Sequence, residues 1–266
     1  MSAHFANYAA IGLYVLAASY LIVSVARLRS PSRPALFALT ATALLCHAVG
    51  CYRLIITPDG LALQLFAMLS LVFFTVNTIV LASAARKPVH NLFLLLFPMT
   101  VLAVSASLLF KGASTVYPLT LGLASHVLLS VIAYSVLTIA TLQALFLAFA
   151  NYRLKHKRTL TPLKLLPPLQ TMESLLFEML WAGQVLLSAS IVSGIIFLED
   201  IFAQHVVHKT VFTLLAWLIY SVLLWGRHSL GWRGYTAIRW TLVGFAMLML
   251  AYFGSKLVLE FILNGG

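Results

Sequence analysis

Long apolar runs, separated by short polar connections, fill almost the whole chain. Eight such runs predict membrane spans near residues 5–28, 35–56, 61–84, 90–110, 118–150, 181–199, 209–226 and 236–262. A helix needs about 20 apolar residues to cross a bilayer, which these runs supply. The alternating pattern of a membrane β-barrel is absent, and an open sheet would leave backbone groups unpaired in lipid. The pattern therefore predicts an all-α, polytopic membrane helix bundle of about eight transmembrane helices, which we expect to form a single integral membrane domain over residues 1–266.

The composition agrees with a membrane protein. Hydrophobic residues make up 62% of the chain and charged residues 9%, whereas soluble domains are nearer half apolar and a quarter charged. The mean hydropathy is +1.02. The first run is longer than the apolar region of a signal peptide, and Arg27 and Arg29 follow it rather than precede it, so we interpret it as a retained helix.

The cations fall mostly on one side of the predicted bundle. If the spans alternate in direction, thirteen of the seventeen lysines and arginines lie on one side, and only Arg53, Lys111, Lys209 and Lys256 lie on the other. Cytoplasmic loops are enriched in Lys and Arg, so we expect both termini outside and the basic loops in the cytoplasm. The net charge of +11 then reflects topology and contact with membrane lipid, not nucleic-acid binding. The thirteen cations are Arg27, Arg29, Arg33, Arg86, Lys87, Arg153, Lys155, Lys157, Arg158, Lys164, Arg227, Arg233 and Arg239.

The longest connection, residues 151–180, starts with a basic run. Pro162, Pro167 and Pro168 interrupt any helix there. The segment LQTMESLLFEML that follows has apolar residues at helical spacing, with Gln170, Glu173 and Glu178 among the polar residues between them. We expect a short amphipathic helix on the cytoplasmic surface before span six, with packing against a partner as the alternative.

The two cysteines carry no redox or haem-attachment pattern. Cys46 and Cys51 are five residues apart, so they lie on different faces of a helix, and a disulfide would require the helix to end between them. Neither CxxC nor CxxCH occurs. No serine, cysteine or carboxylate constellation supports a hydrolase, so the residues do not predict an enzyme.

The stretch FLEDIFAQHVVHKTVF, residues 197–212, concentrates scarce ionisable groups at the outer end of span seven. Glu199, Asp200, His205 and His208 all fall on the outer side of the predicted topology. A carboxylate beside an imidazole fixes its tautomer and raises its basicity. We expect His208 to be a ligand, His205 a spare ligand or a gate, and one of the two carboxylates to orient an imidazole; a plain solvent loop is the alternative.

Two further histidines belong to the outer half of the predicted bundle. His126 is about eight residues into span five, and His47 lies some nine residues below the outer end of span two. Neutral imidazoles in a slot of low polarity suit axial ligation of haem. A zinc site would need three or four close ligands, which His205, His208 and a neighbouring carboxylate would have to supply, and we rank it below haem.

Two segments resemble a known family. HKTVFTLLAWLIYSVLLWGRHSLGWRGYTAIRWTLVGFAMLMLAYFGSK, residues 208–256, is similar to the carboxy-terminal part of the cytochrome c assembly membrane proteins of the CcsA, CcmC and CcmF type. GLASHVLLSVIAYSVLTIATLQALFLAF, residues 122–149, is similar to the helix that carries one of their periplasmic histidines. Length and span count resemble the small YpjD-like inner-membrane branch of this superfamily, and this resemblance implies a multi-pass protein of the bacterial inner membrane.

The resemblance implies a haem site and its ligands. It implies that His126 and His208 are the two periplasmic axial ligands of the iron of a b-type haem, and that His47 corresponds to a transmembrane histidine. It also implies family signature positions at Trp217, Gly231, Trp232, Arg233 and Gly234.

Two functions follow from this resemblance. The first is haem binding, handling or transport on the periplasmic side during cytochrome c assembly, with an apocytochrome or a membrane protein as partner. The second is a non-catalytic membrane subunit or regulator that kept the fold without the cofactor. The outer connection FKGASTVYPL, residues 110–119, favours the second, because it lacks the tryptophan-rich WWD motif of haem-handling members.

Overall fold

The computed structural model describes residues 3–27, 31–110, 116–156, 167–197 and 207–254. These residues fall into two compact units. Unit 1 takes its described residues from Met1–Pro118 and Thr159–Pro167, and unit 2 from Leu119–Arg158 and Pro168–Gly266. The expectation of one integral domain stays a prediction.

Unit 1 is an antiparallel set of four helices with a small sheet. The helices are α1 (Ala3–Ala26), α2 (Arg33–Ile55), α3 (Leu65–Ala84) and α4 (Phe93–Leu109), and a 3₁₀ turn, His90–Leu92, leads into α4. Three short strands, β1 (Ile56–Thr57), β2 (Gly60–Ala62) and β3 (Val116–Tyr117), pair antiparallel in the order β1-β2-β3. The sheet brings the α2–α3 connection together with the end of the α4–α5 connection.

Unit 2 contains the other four helices. They are α5 (Leu121–Lys155), α6 (Leu169–Phe197), α7 (Val207–Leu230) and α8 (Gly234–Met249), and a π-helical segment, Leu250–Gly254, continues α8. Helix α5 packs along both α6 and α8, and α7 packs against α8. Small residues on α6, including Gly183 and Ser190, are buried and permit close approach of its neighbours.

Within the described ranges, eight helices are long and apolar enough to cross a membrane. They confirm the predicted all-α membrane bundle. The two- and three-residue strands were not predicted, because strands so short have no periodicity to detect.

The predicted separate amphipathic helix before span six is wrong. LQTMESLLFEML is the first part of α6, which continues without interruption from Leu169 to Phe197. No glycine or proline lies between Leu169 and Trp181 to end the helix. Its apolar residues are core residues of unit 2, since Met172, Leu176 and Leu180 are fully buried.

The cysteines are free, as the sequence indicated. Helix α2 continues through both Cys46 and Cys51, so the break that a disulfide would require is absent from this helix.

The orientation of the helices in the membrane can be tested with reporter fusions. Because the cations divide thirteen to four, a reporter fused after Lys157 is expected to be cytoplasmic and one fused within the connection 110–119 periplasmic. Paired alkaline-phosphatase and green-fluorescent-protein fusions measure this. A periplasmic location of the fusion at Lys157 would reverse the proposed orientation.

Candidate functional site

His126 lies in the second turn of α5 and faces α6. Its Nδ1 is 3.1 Å from the carbonyl oxygen of Ser190 and 3.0 Å from the Oγ of Ser193. Both partners belong to one turn of α6. The imidazole is therefore held by a different helix, through residues that lie 64 and 67 positions after His126 in the chain.

The partners of this nitrogen determine the tautomer. The Ser193 hydroxyl donates to the Ser190 carbonyl at 2.8 Å, so its proton is already committed. A carbonyl oxygen only accepts. His126 Nδ1 must therefore carry the proton and share it between the two oxygens, which leaves the lone pair of the imidazole on Nε2.

Ser130, one turn after His126 on α5, also joins the two helices. Ser130 Oγ donates to the carbonyl oxygen of His126 at 2.7 Å and lies 2.7 Å from Ser190 Oγ. The missing side chain of Gly194 makes room for the ring, because a Cβ there would lie 3.1 Å from His126 Cε1. Three serines and one glycine thus fix the height and the rotation of the imidazole.

This arrangement fits an axial haem ligand. In the part of the chain that is described, no hydrogen bond to His126 Nε2 is formed. A histidine that ligates a metal commonly donates its other N–H to a carbonyl or a similar acceptor, which fixes the ring and raises the basicity of the ligating nitrogen. His126 has this form, and it is half-buried.

The other predicted ligand lies at the start of α7. His208 is the second residue of that helix, next to Val207. Since one helix separates α5 from α7, their amino ends lie on the same side of a membrane that all three helices cross. Glu199, Asp200 and His205 lie outside the described residues, so their predicted roles, and the zinc alternative, stay predictions.

His47 lies in unit 1 and is fully buried. Its Nε2 is 2.9 Å from Ser70 Oγ, and its Nδ1 is 3.3 Å from the hydroxyl of Tyr14. Cys51 Sγ approaches the same Ser70 hydroxyl at 3.8 Å. Because both ring nitrogens have partners, His47 can ligate iron only if one of these bonds is exchanged for the metal.

The described residues contain no group of three or more His, Cys, Asp or Glu side chains placed to hold a metal ion. An axial haem ligand needs no such group, because the porphyrin supplies the equatorial nitrogens and the protein adds one or two axial ligands.

Residues 35–263 match the family model described as cytochrome C assembly protein. The chain belongs to this family. The family resemblance is therefore confirmed, and the chain is a membrane protein of the cytochrome c biogenesis type.

Three relatives illustrate the relationship. Inner membrane protein YpjD of Escherichia coli strain K12 is 33% identical over 224 residues, which cover 83% of this chain and 84% of that protein. An uncharacterized 28.8 kDa protein of Azospirillum brasilense is 30% identical over 141 residues, 52% of each chain. Cytochrome c biogenesis protein CcsA of Chlamydomonas reinhardtii is 26% identical over 137 residues, 51% of this chain and 38% of that protein. No solved structure matches significantly.

The likeness to an inner membrane protein and the eight apolar helices together identify a multi-pass protein of the inner membrane. The predicted location is confirmed.

Trp217, a predicted family signature position, belongs to a polar ladder between α6 and α7. Its Nε1 donates to Ser188 Oγ at 2.8 Å. Gln184 Nε2 donates to Ser221 Oγ at 2.7 Å and to the carbonyl oxygen of Trp217 at 3.2 Å. Sequence reasoning missed these partners, although polar residues four apart on an apolar helix were a usable signal. The ladder fixes α7, which carries His208 near its amino end, against α6.

The GWRG turn, another signature, is a structural element. Gly231 and Gly234 have positive φ angles of 66° and 52°, which L-residues rarely adopt. Arg227 Nη1 donates to the carbonyl oxygen of Trp232 at 3.1 Å and pairs with Glu173 at 2.9 Å. The two glycines thus allow the tight turn between α7 and α8, and the ion pair joins this turn to the beginning of α6.

Proposed function

We propose that this protein binds and handles haem on the periplasmic side of the inner membrane during cytochrome c assembly. The observation that carries the proposal is the fixed tautomer of His126, with Nδ1 bound to Ser190 and Ser193 and the lone pair on Nε2. An imidazole that served only to join α5 to α6 would not require a half-buried second nitrogen to which no described residue forms a hydrogen bond.

His126 and His208 would hold the haem iron. Both lie near the amino ends of their helices, α5 and α7, which begin on one side of the membrane if α5, α6 and α7 all cross it. His126 is five residues from the start of α5, about 8 Å of helix rise, so its ring belongs to the outer part of the bilayer under the predicted orientation. His205, and one of Glu199 and Asp200, complete the proposed mouth of the site.

Bound haem would supply an iron centre capable of one-electron chemistry, with a characteristic visible absorption. The chain's own contribution is to hold the His126 ring in one tautomer and one rotation, through the Ser190 carbonyl and the Ser193 hydroxyl. An apocytochrome or another membrane protein would be the partner that receives or shares the haem.

The second candidate is a membrane subunit without a cofactor. It is favoured by the connection 110–119, which contains no tryptophan. Part of that connection, Val116–Tyr117, is instead the edge strand β3 of the small sheet.

The visible spectrum of the purified full-length protein separates the two functions. Under the haem proposal, hemin added in detergent produces a Soret band that saturates at a fixed ratio of haem to protein, and reduction gives the sharp α and β bands of a b-type haem. If hemin binding does not saturate, or matches that of empty micelles, the subunit function replaces the haem function.

A finer prediction concerns the residue that orients His126. Ser193→Ala removes one of the two acceptors of the Nδ1 proton and leaves the Ser190 carbonyl in place. Loss of such a partner costs about 10–100-fold in metal affinity, and we expect about tenfold here because one acceptor remains. The imidazole also becomes less basic, so the reduction potential of the haem should rise. Hemin titration and a potentiometric titration measure the two effects.

Ser190→Ala is the matched control. It removes a hydroxyl that lies 2.7 Å from Ser130 Oγ but keeps the carbonyl that accepts from His126. It should leave the reduction potential unchanged. Equal shifts of potential in both variants would show that the serines act only through helix packing.

A further inference from the structure

Unit 1 contains a small cavity at the end of its helix set that is opposite the sheet. It has a volume of ≈ 100 Å³ and lies between the beginning of α2, the end of α3 and the 3₁₀ turn before α4. A cavity of about 10–15 Å³ suffices for one water molecule, so this space accepts a larger group. The lining residues are Pro31, Arg33, Leu36, Phe37, Ala84 and His90.

The cavity lies at the depth of lipid headgroups. Arg33 and His90 are the first residues of two candidate membrane spans, and Ala84 is the last residue of a third. The boundary between water and hydrocarbon therefore passes close to this cavity.

The charge of the cavity is not balanced within unit 1. Arg33 forms no ion pair with another described residue, and His90 lines the same cavity. The only acidic residue in the sequence of unit 1 is Asp59. Asp59 follows the far end of α2, whose 23 residues separate it from Arg33 by about 33 Å of helix rise.

Further cations surround this end of the unit. Arg27 follows α1, and Arg86 and Lys87 follow α3, in the same two connections that supply Pro31 and His90 to the cavity. This end of unit 1 is therefore strongly positive, and the complementary ligand is an anion.

The walls of the cavity are apolar. Leu36 and Ala84 are buried, and Phe37 is half-buried. A cationic rim on an apolar wall at headgroup depth matches a ligand with an anionic phosphate and an apolar remainder. A soluble anion would bind the cationic rim but would make no use of the apolar wall, which a lipid can contact.

We propose that this cavity binds the phosphate of an anionic phospholipid. The Arg33 guanidinium offers two parallel N–H groups to a phosphate, and His90 adds a third donor. In the first turn of α2 the backbone N–H of Ala35 is a further donor, whereas Pro34 has no N–H and the Leu36 N–H already bonds the carbonyl oxygen of Ser32. The acyl chains would lie along Phe37 and the lipid-facing side of α2. This site involves neither haem nor His126, and it holds for either orientation of the protein in the membrane.

The test uses the full-length protein in nanodiscs of equal parts phosphatidylglycerol and phosphatidylcholine. Native mass spectrometry of protein released from the discs counts the lipids that remain bound. The wild type is expected to retain one phosphatidylglycerol in preference to phosphatidylcholine. Since a cation near a membrane surface contributes roughly a factor of five to the binding of anionic lipid, Arg33→Gln should lower the retained phosphatidylglycerol about fivefold. Arg33→Lys, which keeps the charge, should retain most of it.

Arg153→Gln is the matched control for loss of charge. Arg153 lies in the last turn of α5 in unit 2 and packs over the Phe149 ring. This variant should retain phosphatidylglycerol as the wild type does, and circular dichroism should show equal helix content in all variants. The proposal is overturned if the wild type shows no preference for phosphatidylglycerol, or if Arg153→Gln loses as much lipid as Arg33→Gln. It is also overturned if inorganic phosphate raises the melting temperature in pure phosphatidylcholine discs as much as phosphatidylglycerol does, because the ligand is then a soluble anion.

Discussion

His126→Ala is expected to abolish saturable hemin binding. The substitution removes the nitrogen proposed to ligate the iron, and it leaves Ser190 and Ser193 without their ring partner. Loss of a residue that only hydrogen-bonds to a ligating histidine costs about 10–100-fold in metal affinity, so loss of the ligand itself should cost more than about 100-fold. Hemin titration followed at the Soret band measures this directly. The same loss is expected for His208→Ala if the two histidines form the axial pair.

The control must remove a histidine from the same unit without touching the site. His228 serves this purpose, because it is an exposed residue near the carboxyl end of α7, whereas His208 lies at the amino end of the same helix. His228→Ala should bind hemin as the wild type does. His126→Gly with added imidazole should recover part of the Soret band, because free imidazole can occupy the vacated ligand position. Unchanged hemin affinity in His126→Ala would place the ligands elsewhere.

Gly60→Ala is expected to destabilise unit 1 by about 2–4 kcal/mol. Gly60 has a φ of +136°, a conformation that is strained for any residue with a side chain. It also begins β2, where a Cβ would collide with the backbone carbonyl oxygen of Tyr117 in β3. That neighbour is main chain and cannot turn aside. Thermal unfolding followed by circular dichroism in detergent should show a clear fall in melting temperature.

Gly12→Ala provides the contrast. Gly12 lies within α1, and a Cβ built on it meets nothing within 4 Å. Alanine is a better helix former than glycine by roughly 1 kcal/mol, so this variant should be as stable as the wild type or slightly more stable. If the two alanine variants melt at the same temperature, the small sheet contributes nothing to the stability of unit 1.

The membrane helices were predictable because a bilayer imposes a simple requirement on a chain. About 20 consecutive apolar residues must cross it with every backbone group paired inside the segment. That requirement can be read from sequence without knowing any tertiary contact. Where a helix begins and ends outside the lipid follows no such rule, and the error at α6 shows this. The residues of LQTMESLLFEML have the pattern of a surface helix, but their apolar face packs in unit 2 and Glu173 pairs with Arg227.

The candidate site, too, was predictable from the sequence only in part. The sequence by itself determined the membrane class, the positions of the scarce histidines along the spans, and the resemblance that singled out His126 and His208. Only the tertiary structure decided that Ser190 and Ser193 hold His126 by Nδ1, that Tyr14 and Ser70 occupy both nitrogens of His47, and that Gly60 lies against Tyr117. The physical reason is that a helix presents many polar side chains at similar depth. Which of them meet depends on the rotation and axial shift of neighbouring helices, and these are set by packing over the whole length of the contact.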